Sequence, residues 1–84
     1  MTKEGPLNTI RVGRGIKATL WRNEGRNGPW VTVQFSRTYK QDDGSLQDSS
    51  RFAREDLLYV AQAAQKAFDY LLTNLLVDVP HALG

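Results

Sequence analysis

Between Ile16 and Asn23 apolar and polar residues alternate, with Ile16, Ala18 and Leu20 on one side and Lys17, Thr19 and Trp21 on the other. A period of two is the signature of a strand with one face buried. The run Trp30 to Lys40 repeats it, with Val31, Val33 and Phe35 pointing one way and Trp30, Thr32, Gln34, Ser36 and Thr38 the other. Between the two runs, Asn23 to Pro29 holds two glycines and a proline, which makes it a hairpin loop. A shorter strand over Leu7–Val12 ends at the turn Gly13-Arg14-Gly15. A fourth and more polar strand over Leu46–Phe52 follows the Asp43-Gly44 turn.

From about Arg54 the period lengthens to three and four. Leu57, Val60, Ala61, Ala64, Phe68, Leu71, Leu72 and Leu75 form one stripe, with Gln62, Gln65, Lys66, Asp69 and Thr73 opposite it. This predicts an amphipathic helix over about 54–78, opened by Glu55 and Asp56 at the positive end of its dipole and limited by Pro80. The predicted fold is a single α+β domain over residues 1–84: a four-stranded antiparallel sheet over about 7–53, then one long helix. Leu57, Ala61, Ala64 and Phe68 are expected to meet Ile16, Leu20, Val33 and Phe35. A helix of that length runs roughly 35 Å at 1.5 Å per residue, whereas four strands span only about 15 Å, so its second half overhangs the sheet. Phe68, Leu71, Leu72, Leu75 and Leu76 then need another cover, and a homodimer through these residues is the expected solution.

Charge sharpens the picture. Residues 1–40 carry eight basic side chains against two acids, while residues 41–84 carry three against seven. The basic half is the half that holds both tryptophans. If the apolar sides of the two central strands pack on the helix, Lys17, Trp21, Trp30, Thr32 and Gln34 share the opposite face, and Arg11, Arg14, Arg22 and Lys40 lie at strand ends and loops around it. Aromatic rings among cations suit unpaired bases, which stack on the rings while their phosphates meet the cations.

Other chemistry is excluded more simply. There is no cysteine, and the one histidine, His81, follows Pro80 near the chain end. No nucleophile–base pair and no metal-binding spacing is present, so neither an enzyme nor a cofactor, metal or small-molecule substrate is expected. No apolar run approaches the ~20 residues of a membrane span, and Met1 to Pro6 is polar, which predicts a soluble, cytoplasmic protein without a membrane partner.

The run Val33-Gln34-Phe35-Ser36-Arg37-Thr38-Tyr39, then Asp43-Gly44, then Ser50-Arg51-Phe52-Ala53-Arg54-Glu55-Asp56-Leu57-Leu58 resembles the strand, acidic-glycine turn, strand and helix of the positive-cofactor-four and Whirly-type single-stranded DNA-binding domains. The resemblance covers about half the chain. It implies a curved four-stranded sheet that binds single-stranded nucleic acid, a carboxy-terminal helix that builds a dimer or higher oligomer, and a binding role for Arg37 and Tyr39. Alternation along the strand, by contrast, sets both on the side of Phe35. The expected function is binding of single-stranded DNA or RNA. The alternative is a small protein-interaction module that docks on another protein.

Overall fold

A computed structural model describes residues 5–74. Four antiparallel strands, β1 (Asn8–Arg11), β2 (Ile16–Asn23), β3 (Trp30–Lys40) and β4 (Leu46–Ser49), form one sheet in sequence order. A 3-10 turn, Arg54–Asp56, leads into the helix α1, Leu57–Asn74. The α+β architecture is therefore as the periodicity predicts. β4 is shorter than expected, and it ends where the Ser49 hydroxyl accepts the Arg51 N–H at 3.0 Å. Residues 75–78 of the expected helix, with Leu75 and Leu76, lie outside the described residues.

Short connections account for the sheet order. Between β1 and β2 the chain makes a 3-10 turn at Gly13–Gly15, closed by the Val12 N–H on the Ile16 carbonyl at 2.8 Å. Gly15 has φ +73°, and a Cβ there would stand 2.5 Å from the Thr38 carbonyl oxygen, so only glycine lets β3 pass this close. Between β3 and β4, Gln41–Ser45 closes on itself. Gln41 N–H donates to the Ser45 carbonyl at 2.8 Å, and Asp43 Oδ1 accepts the Ser45 N–H at 2.9 Å.

Register sorts the side chains by face. Ala18 stands opposite Phe35 and Leu20 opposite Val33, while Lys17 pairs with Ser36, Thr19 with Gln34 and Trp21 with Thr32. Ile16, Ala18 and Leu20 are completely buried beneath the helix, and Val31, Val33 and Phe35 pack beside them. The alternation read from β2 and β3 thus holds position by position.

The helix is turned relative to the expected stripe. Its buried residues are Ala63 and Ala67, flanked by Val60, Tyr70 and Leu71. Leu57, Ala61, Ala64 and Phe68, expected against the sheet, are exposed. Two features set this rotation. Asp56, just before α1, is wholly buried and tied down by several partners. The small side chains of Ala63 and Ala67 let the helix axis come close to the sheet where a leucine or phenylalanine would hold it off.

Candidate nucleic-acid interface

One helix covers one face of the sheet, and among the described residues the other face stays open. That face is concave, with a depression of about 440 Å³ running from Trp21 and Gln34 past Thr19 and Ser36 to Arg11, Lys17 and Asp48. Every one of these residues has the same strand parity, because each stands on a rung whose partners face away from the helix. Trp21 is half-buried, and its indole N–H donates to Gln34 Oε1 at 3.3 Å. Trp30 stands on the same face opposite Asn23 and is 51% exposed. Its ring lies over Gly25, where an added Cβ would come within 2.5 Å of it, so the loop glycine makes room for the indole. Asn23 steadies this end by donating to the Thr32 hydroxyl at 3.1 Å.

The cations divide between the faces. Arg11, opposite Lys17, belongs to the open face and is exposed. Lys17 belongs there too, and its ammonium donates to Asp48 Oδ2 at 3.1 Å. Lys40 follows the same parity at the end of β3 and is exposed. Three further cations, Arg14 and Arg22 expected at strand ends and loops around this face and Arg37 expected by resemblance, have acidic partners in the structure. Arg37 stands opposite Ile16 on the helix side, with its guanidinium 5.3 Å from the centre of the Tyr39 ring and its Nε 3.5 Å from an oxygen of Asp56. Arg14 donates to the other oxygen of Asp56 at 2.6 Å. Arg22 has helix-side parity, opposite Val31, and pairs with Glu24 at 3.1 Å. Arg14 and Arg37 share the buried Asp56, whereas the Arg22–Glu24 pair is solvent-exposed.

Sequence reasoning missed Asp48. Its Oδ1 accepts the Thr38 hydroxyl at 2.6 Å while Oδ2 accepts from Lys17, and these two bonds, that from Thr38 first, hold its pKa below the ordinary carboxylate value. The signal lay in the tight turn at Gln41–Ser45, which fixes β4 in register so that Asp48 falls opposite Thr38.

The expected dimer residues are also divided. Phe68 is 57% exposed and Leu72 is exposed, whereas Leu71 packs on the core. The exposed set extends toward the helix start, through Leu57 and Leu58, the latter 82% exposed. At 100° per residue, the uncharged sector of α1 runs from Tyr70 through Ala63, Ala67 and Leu57 to Leu58, roughly 240° of circumference against the ~100° that one core requires.

Among the described residues, no group of three or more acidic or histidine side chains is arranged to hold a metal ion, and no helix is long and apolar enough to cross a membrane. Comparison with protein-family models, with curated proteins and with solved structures finds no match to this chain.

Proposed function

We propose that this domain is a binding protein that takes single-stranded nucleic acid across its open sheet face. The observation that carries the reading is the concave face that the described residues leave uncovered, with two tryptophans at one end and Arg11, Lys17 and Lys40 along it. The centre of that face is hydroxyl and amide rather than cationic, so bases lie against the sheet and phosphates follow its rim. Stacking contributes about 1–3 kcal/mol per base, and the phosphate contacts add a salt-dependent part. With Lys17 held by Asp48, the two other cations on the face, Arg11 and Lys40, give a slope of log K on log salt of about −1.4, at ~0.7 per phosphate contact. Binding of a fluorescent single strand, measured across a salt series, tests the reading. The setting of this work is the cytoplasm, and no catalytic step is needed for it.

The exposed apolar sector of α1 favours a protein partner for the other side of the domain, and a second copy of this chain is its simplest occupant. Leaving leucines such as Leu58 in water forgoes about 1.5–3 kcal/mol for each. Leu57, Leu58, Ala61, Phe68 and Leu72 supply a sector without charge, which suits a twofold contact between identical faces. The contact uses the helix from its first turn, rather than only the distal leucines named from sequence.

A further inference from the structure

Asp48 is out of place on a surface for phosphates, and its surroundings give it another use. Each of its two oxygens accepts one hydrogen bond, Oδ1 from the Thr38 hydroxyl at 2.6 Å and Oδ2 from the Lys17 ammonium at 3.1 Å. A carboxylate offers about four lone-pair sites, so two remain for a ligand. Lys17 is largely covered and spends its charge on Asp48, leaving a pair with no net charge and a fixed orientation. Asp48 itself is 52% exposed at one end of the depression. Along β3, Thr38 lies six residues from Thr32, the partner of Trp21. At ~3.3 Å per residue this separates Asp48 from the stacking platform by roughly 20 Å, so a base at Asp48 is a different base from the one on Trp21.

We infer, resting on the single-strand reading above, that Asp48 is a base reader that selects guanine. The Watson–Crick edge of guanine carries two adjacent donors, N1–H and the N2 amine, which match the two oxygens of one carboxylate. Adenine and cytosine place a single amine beside a ring acceptor. Thymine and uracil place one N–H between two carbonyl oxygens, which face the carboxylate unfavourably. The Lys17 and Thr38 contacts hold the acceptor in place before the strand arrives, and the lysine keeps a bare negative charge from repelling the neighbouring phosphates.

The test uses the full chain and three fluorescent twelve-nucleotide single strands in lithium buffer, which avoids guanine quadruplexes: all thymine, a TTG repeat, and the same repeat with inosine, which lacks the N2 amine. The wild type binds the TTG repeat about tenfold more tightly than thymine, in line with a bidentate contact, and inosine loses most of that gain. Asp48→Asn, with its folding checked by circular dichroism, abolishes the difference and binds the thymine strand more tightly because the charge of Lys17 is no longer paired. Equal binding of all three strands by the wild type overturns the inference. A uniform change across all three in Asp48→Asn also overturns it, because Asp48 would then act as a charge and not as a reader. If the wild type binds none of the strands, the single-strand reading falls and this inference falls with it.

Discussion

Arg14 and Asp56, 42 residues apart, meet at 2.6 Å at the start of the helix. Arg14 sits in the left-handed region at φ 59°, an unusual place for a residue with a side chain. The same carboxylate accepts the Ala53 N–H at 2.8 Å and lies 3.5 Å from the buried Nε of Arg37. One buried acid therefore ties together the β1–β2 turn, β3 and the helix N-terminus, which Ala53 cannot cap with a side chain of its own. Arg14, then the Ala53 N–H, holds the Asp56 pKa below the ordinary carboxylate value.

A pH dependence follows. A carboxylate with a depressed native pKa contributes its full stability above its unfolded value, about 3.9, and loses it as pH falls through the lower native value. Acid unfolding of the wild type is expected below about pH 4. Asp56→Asn is less stable at neutral pH and has a shallower acid limb. A shallow limb remains, because Asp43 and Asp48 have lowered pKa values as well. Urea melts at several pH values measure both effects.

Gly15→Ala is expected to destabilise by at least about 1–2 kcal/mol, since a Cβ at positive φ is disfavoured and this one meets the Thr38 backbone. Gly5→Ala, with nothing within 4 Å of the new atom, is the control and stays within about 0.5 kcal/mol of the wild type. Thermal melts of the two compare them directly.

The rotation of the helix makes its own forecast. Ala63→Leu overpacks the contact with the sheet and costs about 1–3 kcal/mol, whereas Ala61→Leu, on the exposed side, leaves the domain's own core intact. The stripe read from sequence anticipates the reverse order. Denaturant midpoints of the two variants distinguish these outcomes.

These contrasts show what was legible. The two central strands could be read because a half-buried sheet needs strict alternation, and Ile16-Lys17-Ala18-Thr19-Leu20 provides it without exception. The helix could be placed but not rotated. Its apolar residues cover so much of the circumference that no single stripe stands out, and the deciding restraint, Asp56, depends on two arginines distant in sequence. The open face was half legible. Trp21, Trp30, Thr32 and Gln34 followed from parity, but Arg14 and Arg37 were claimed by a contact that no local pattern reveals. The parity of Arg37 was nevertheless visible from Phe35.

Self-association through the exposed sector of α1 predicts a dimer in sedimentation equilibrium at micromolar concentration. Leu58→Asp or Phe68→Asp is expected to yield a folded monomer, because a charge is costly in an apolar seam and harmless in water. A wild-type monomer with an unchanged circular dichroism spectrum contradicts the predicted contact.

The central claim is that the open sheet face binds a single strand, and titration of the protein with a single-stranded oligonucleotide, followed by tryptophan fluorescence over a salt series, tests it most directly. Stacking on Trp21 and Trp30 predicts quenching on binding, affinity that falls with salt at a log–log slope of about −1.4, and a loss of about 1–3 kcal/mol in Trp21→Ala or Trp30→Ala without unfolding. Absence of binding at low salt, or an affinity untouched by either substitution, contradicts the claim.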